Sequence, residues 1–196
     1  MLKVEGMIMK VAIVTDAWFP QINGVVTTLD SIVKGLNGRG HHAIVISPEN
    51  TPTIPCPSYG EIRLSLAPQL KIAYTIGTFQ PDFIHIATEG PMGWAARQYC
   101  LKKRLRFTTA YHTKFPEYVQ ARTLIPASWS YRFLKRFHDP SKNIMVSTAS
   151  VAQELRSHGI EHTVRWTRGV DTELFRPNHQ PLLKKEGRPI LLYVGR

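Results

Sequence analysis

The chain has 196 residues, 43% apolar and 20% charged, and its 25 Lys and Arg against 14 Asp and Glu give a net charge of +11. This is ordinary globular composition, which excludes collagen-like, low-complexity and disordered classes and suffices for one domain with a substantial core. Two cysteines, Cys56 and Cys100, exclude a disulfide scaffold and fit a reducing compartment, and no run approaches the roughly 20 apolar residues needed to cross a bilayer.

The opening residues carry Lys3 and Glu5 without a long apolar run, so no secretory signal is expected, and Met7 and Met9 are alternative candidate starts. Residues 10–15 form an apolar, β-branched run that predicts a buried parallel strand. A turn-rich segment with Pro20 and Asn23-Gly24 follows. Helical spacing of Val25, Leu29, Ile32, Val33 and Leu36 then predicts a helix over 25–36, stopped by Gly38 and Gly40. Residues 42–47 predict a strand. Residues 50–58 hold three prolines and predict an exposed loop. Residues 61–66 predict a short strand, and 69–79 a helix weakened by Gly77. A strand over 82–87 leads into a helix from Pro91 to about residue 104, proline suiting the first helical position. Beyond it come a strand at 107–112, a helix at 126–138, a strand at 142–147, a helix capped by Ser147 and Thr148 and closed by Gly159, and a strand at 163–167.

Strands alternate with helices almost throughout, which predicts an α/β fold: a Rossmann-like, doubly wound parallel sheet with helices on both faces. Residues 170–188, with Pro177, Asn178, Pro181 and Gly187, read as a linker. Residues 189–196 read as the first strand of a second domain that the chain only begins, so the expected organisation is a domain over 1–169, a linker over 170–188 and a truncated second domain from 189.

Open α/β sheets bind ligands at the carboxyl ends of their strands. Three such ends are polar here: residues 15–24 ending in Asn23-Gly24, residues 85–90, and residues 108–113. A glycine at a helix start lets a phosphate approach bare N–H groups, although Asn-Gly alone is also an ordinary turn and His112 alone is also an ordinary core histidine. Several chemistries are missing: there is no G-x-G-x-x-G, no Walker loop, no G-x-S-x-G, no zinc-ligand spacing and no D-x-D pair, so neither a dinucleotide cofactor nor a metal is expected.

The motifs in order are KVAIVTDAWFPQINGVV at 10–26, RGHHAIV at 39–45, PDFIH at 81–85, YHT at 111–113, RGVDTELFRP at 168–177 and YVGR at 193–196. Each is loose alone. In this order and spacing the chain resembles the family 4 glycosyltransferases, retaining enzymes of the GT-B fold, and is most similar to their lipid and mannosyl transferase branch. The resemblance implies that the chain is the acceptor-binding half of a two-domain enzyme, inactive alone. The enzyme would move a sugar from a nucleotide-diphospho-sugar (GDP-mannose or a UDP-sugar) to a lipid or glycan acceptor, with the sugar nucleotide as co-substrate and no cofactor. It implies that Gly24 and Arg196 approach the donor diphosphate and that His112 contacts the donor sugar at the reacting centre. Asp16, Asn23, Glu89, Thr113, Arg168 and Asp171 are the acceptor or cleft candidates, with loop capping the competing role for Asp16 and Glu89. Retention needs no protein base, since a diphosphate oxygen can take the acceptor proton. One departure stands out: Arg168-Gly169 occupies a place where many members carry Asn-Gly.

Charge is concentrated between Glu89 and Asp139, where ten basic residues meet the single acid Glu117. A face of this kind attracts polyanions. On the 126–138 helix, Trp129, Phe133 and Phe137 recur at i, i+4 and i+8, with Arg132, Lys135 and Arg136 toward the other side. That stripe reads either as core or as an interfacial helix on an anionic membrane. The expected location is cytoplasmic, peripheral on the inner face of a membrane if this helix meets lipid. The rival class is a non-catalytic basic module that docks a polyanion; no nucleic-acid-binding module is recognisable.

Overall fold

The computed structural model describes residues 7–56, 59–112, 126–177, 189 and 191–193, with the side chains of 59–61 excepted. In chain order the elements are β1 (Lys10–Val14), α1 (Gly24–Asn37), β2 (His42–Ile46), β3 (Thr53–Cys56), β4 (Tyr59–Ser65), α2 (Pro68–Phe79), β5 (Phe83–Ile86), α3 (Pro91–Lys103), β6 (Thr108–Tyr111), α4 (Ala127–His138), β7 (Ile144–Val146), α5 (Ala149–Ser157) and β8 (Thr163–Arg165). Six strands form one parallel sheet in the order β2-β1-β5-β6-β7-β8. The chain moves to one side of β1 for β2 and to the other for β5, so the direction of winding reverses between β1 and β5. Ligand crevices of open α/β sheets form at the carboxyl ends beside such a reversal.

Alternation along the strands builds the two faces. Ala12, Val14, Ile84 and Ile86 pack with Ile72 and Ile76 of α2 and Met92, Ala95 and Ala96 of α3. Ile144 and Val146 continue that face against Tyr131 and Leu134 of α4 and Leu155 of α5. Ile13, on the opposite face, packs with Leu29 of α1. The expected α/β doubly wound architecture is the one observed. The helices and parallel-sheet strands predicted over 10–167 form, with ends displaced by one or two residues, whereas the strand expected over 189–196 is absent at 189 and 191–193, and 190 and 194–196 lie outside the described residues. Gly77 does not break α2, because burial of Ile72 and Ile76 holds the helix on the sheet; a Cβ at Gly77 would make only ordinary contact with the Tyr99 hydroxyl at 3.6 Å.

The expected exposed loop over 50–58 needs correction. Residues 53–56 are β3, paired antiparallel with β4 with Thr53 opposite Ser65 and Ile54 opposite Leu64. Prolines at 52 and 55 argue against a central strand, but a two-stranded ribbon has free edges where a missing N–H is tolerated. Arg63 adds cross-strand bonds, Nε donating to Thr53 Oγ1 at 3.1 Å and Nη2 to the Thr53 carbonyl at 3.1 Å. The strand expected at 61–66 exists as β4, but it joins β3 and not the parallel sheet. Residues 170–177 are exposed and carry neither helix nor strand, and residues 189 and 191–193 pair with no strand.

Candidate active site

The β1–α1 connection ends on Asn23, whose side-chain oxygen accepts from the N–H groups of Val25 at 3.0 Å and Val26 at 3.1 Å. This is an N-cap by a neutral residue. Gly24 is exposed at the first position of α1, and among the described residues nothing accepts from its N–H. It has no positive φ, so its lack of a side chain is not needed for the turn. A Cβ on Gly24 would stand 3.5 Å from Arg168 Nη1, so the guanidinium lies over this helix start.

From there Arg168 reaches His112, which follows β6. Arg168 Nη2 donates to His112 Nδ1 at 3.2 Å. His112 Nε2 is buried without a hydrogen-bond partner among the described residues. Burial first, then the Arg168 charge, lower the His112 pKa to about 4, with Glu89 pulling the other way. The Trp166 ring stands 5.8 Å from His112 and 5.9 Å from His85. His85 bonds Thr108 Oγ1 through Nδ1 at 2.9 Å, and burial followed by the neighbouring His112 lowers its pKa to about 4 as well. The site therefore holds two neutral imidazoles, one guanidinium and one uncovered helix N-terminus. A cavity of about 520 Å³ on the α1 face of the sheet shares His85 and Trp166 with it.

Asp16 sits beside this group, at the winding reversal, and does something different. It is buried, and its Oδ1 accepts from Met92 N–H at 2.9 Å at the start of α3. Thr88 Oγ1 donates to Oδ2 at 2.7 Å and accepts from Asp16 N–H at 2.8 Å. Burial pushes the Asp16 carboxyl up; the Met92 N–H, the Thr88 hydroxyl and the Gly93 N–H pull it down, and Glu89 pushes it up again. A Cβ on Gly90 would lie 2.4 Å from Asp16 Cγ, so only glycine lets the α3 start close onto this carboxylate. The Asp16 side chain thus caps α3 from another element. Glu89 lies beside His138, Oε1 3.4 Å from Nε2. Asp171 accepts from the N–H groups of Glu173 and Leu174 at 3.0 and 2.9 Å and closes its own turn. Thr113 and Arg196 lie outside the described residues. Trp166 and Thr88 had not been singled out in the sequence; a residue just after β8 and one just after β5 are where a strand-end search finds them. Among the described residues no three His, Cys, Asp or Glu gather as a cation site.

The aromatic stripe on α4 is corrected by the geometry. Phe137 is fully buried against Trp94, Phe133 is 43% exposed, and Trp129 is 67% exposed. Eight residues of helix turn through about 800°, so Phe137 points about 80° away from Trp129 around the axis. The buried face is Ser130, Tyr131, Leu134, Phe137 and His138. The cations differ too: Lys135 Nζ is held by Asp139 at 3.0 Å and by the Gly159 carbonyl, whereas Arg132 and Arg136 are exposed. Among the described residues no helix is long and apolar enough to cross a membrane.

The family model described as Glycosyltransferase Family 4 matches residues 22–174, which run from just before Gly24 to just past Asp171. The chain belongs to glycosyltransferase family 4. It is 27% identical to a GDP-mannose-dependent alpha-mannosyltransferase of Corynebacterium glutamicum, over 96% of this chain and 51% of the relative. It is 30% identical to an alpha-monoglucosyldiacylglycerol synthase of Acholeplasma laidlawii, over 56% of this chain and 31% of the relative. The family 4 chain spans about half the length of the curated relatives it matches over nearly its whole length. Among solved structures, the UDP-GlcNAc 2-epimerase from Methanocaldococcus jannaschii superposes with a TM-score of 0.51 at 14% identity, covering 80% of this chain and 45% of that one, a likeness of fold alone.

Proposed function

We propose that this chain is the acceptor-binding half of a retaining hexosyltransferase that uses a nucleotide-diphospho-sugar, GDP-mannose or a UDP-sugar, and delivers the sugar to a lipid or glycan. One observation carries the reading: Gly24, Arg168 and His112 come from three separate segments and meet at the carboxyl edge of the sheet. A bare helix N-terminus and a guanidinium suit a diphosphate on which negative charge builds as the glycosidic bond breaks. A neutral imidazole suits a sugar hydroxyl. The scheme uses neither Asp16, which is engaged by α3, nor Glu89, which lies beside His138, as a base; the diphosphate oxygen takes the acceptor proton. The relatives matched over nearly this whole chain are about twice its length, which leaves room in them for a donor-binding half.

The lipid class of acceptor is supported by the name of the Acholeplasma laidlawii relative and by exposed Trp129, Arg132 and Arg136 on α4. An aromatic with two cations suits an anionic lipid surface. The test is transfer by the full-length protein from GDP-mannose and UDP-glucose to membrane lipid extracts, with the anomeric configuration of the product read by NMR. Retained configuration supports the reading. Inversion overturns the mechanism, and polyanion binding without turnover of any sugar nucleotide supports the rival binding module.

A further inference from the structure

We propose that Arg168 is a positioning residue that acts through His112: its guanidinium fixes the imidazole as the tautomer with hydrogen on Nε2, and so turns Nε2–H into a neutral donor for a ligand oxygen. The ligand oxygen rests on the cleft reading above; the coupling of the two side chains does not. A guanidinium carries donors and no acceptor, so at 3.2 Å the His112 Nδ1 must accept from Arg168 Nη2. A neutral imidazole has one acceptor and one donor nitrogen, so the hydrogen falls on Nε2. That atom is buried and has no partner among the described residues. Buried donors are nearly always satisfied in folded proteins, and one left unpaired asks for a partner that arrives with a ligand.

The charges around the ring agree. Arg168, Glu89 and His85 are the titratable groups that act on or are acted on by His112 among the described residues. Protonation at Nδ1 would set two donors and two positive charges against each other, and burial adds to that cost, which outweighs the attraction of Glu89. Trp166 flanks the ring edge-on, with centroids 5.8 Å apart. The other half of the same guanidinium, Nη1, points to the start of α1 beside Gly24. One planar fork therefore orients the histidine with one nitrogen and faces the helix N-terminus with the other, a division of labour that lysine cannot reproduce in full. No carboxylate pairs with Arg168 among the described residues.

Long-range ¹H–¹⁵N spectra of the histidine rings test this directly, with His112 assigned by loss of its signals in His112→Gln. The unmutated chain should show a single Nε2–H tautomer at neutral pH that titrates only near pH 4. Arg168→Met should mix the tautomers and move the titration upward; Arg168→Lys, which keeps a cation and a donor, should restore most of the Nε2–H population. Circular dichroism and the thermal midpoint should be unchanged in both, since Arg168 is exposed. A His112 found as Nδ1–H, or an unchanged tautomer in a folded Arg168→Met, overturns the proposal. If the tautomer responds as expected while the full-length protein binds no sugar nucleotide, the cleft reading fails and the Arg168–His112 coupling stands.

Discussion

Gly24→Val separates a turn glycine from a ligand-facing one. Gly24 has no positive φ and is exposed, so valine meets no backbone strain. Its Cβ would reach only ordinary contact with Arg168 Nη1 at 3.5 Å, and an exposed arginine can move away. Stability should therefore change by no more than about 0.5 kcal/mol, the usual range for surface positions. The two γ-methyls, however, cover the first N–H of α1 and displace the guanidinium from the helix start. Removing one prearranged donor from a developing oxyanion costs about 10²–10³ in rate, roughly 3–4 kcal/mol. The assay is kcat/KM for sugar transfer by the full-length protein, set beside the thermal midpoint and normalised to folded enzyme. Gly24→Ala should fall between the two. Normal turnover per folded molecule, with or without a lower midpoint, would refute the assignment of this helix start to the donor diphosphate.

Stability should fall as pH drops. His85 and His112 bind protons near pH 6.5 when unfolded and only near 4 when folded, so unfolding takes up protons between those values and the loss comes across that window, about 3 kcal/mol for His85 at full effect; urea midpoints at pH 7 and pH 5 measure it, and His85→Gln should flatten the slope. The raised Asp16 carboxyl has the opposite sign: its contribution is complete below its ordinary value of 3.8 and is lost as pH rises toward its higher folded value, so it offsets part of the histidine loss as pH falls toward 3.8. Gly90→Ala should destabilise strongly and lower the unfolding midpoint, because its methyl would enter the Asp16 carboxylate at 2.4 Å; an unchanged midpoint would mean that α3 is not pinned there. Replacing Arg132 and Arg136 together with Gln should weaken sedimentation of full-length protein with anionic vesicles about thirty-fold at about 1 kcal/mol per cation, while Lys135→Gln, already engaged by Asp139 and Gly159, should do less; equal effects at all three positions would count against an α4 lipid face.

Local patterns made the sheet and its helices legible. Apolar β-branched runs such as Val11 to Val14 and the 3.6-residue spacing of Val25, Leu29 and Ile32 report burial on one face, and burial is what orders these segments. β3 was not legible because Pro55 argues against any ladder, while pairing with residues about ten positions later supplied one. The α4 stripe misled because spacing of i and i+8 looks regular in sequence yet turns through the edge of the buried face. The site was half legible. Polar strand ends marked Asp16, Gly24 and His112 as neighbours of a crevice, since topology alone brings those ends together. Their partners were not legible: Asp16 meets Met92 from 76 positions away, and His112 meets Arg168 from 56. Such contacts depend on side-chain reach across strand ends, which no periodicity records.

Two helix starts flank the same reversal of the sheet, and their different caps decide where an anion can go. α3 begins against the buried Asp16, whose oxygen already takes the Met92 N–H. When that carboxylate is charged it repels a phosphate; when it is protonated it still fills the space, and Gly90 closes tightly on it. α1 begins with neutral Asn23, an exposed glycine whose N–H lacks an acceptor among the described residues, and Arg168 overhead. Helix N-termini favour negative charge by about 0.3–1 kcal/mol at exposed sites. At α3 that preference is met from within the fold. At α1 it is left open and reinforced by a cation. Under the proposed donor chemistry, a diphosphate in the crevice would meet attraction on the β1 side and an occupied cap on the β5 side. On the proposed reading, that asymmetry would orient the diphosphate with its charge toward Gly24 and Arg168 and leave His112 to the uncharged sugar.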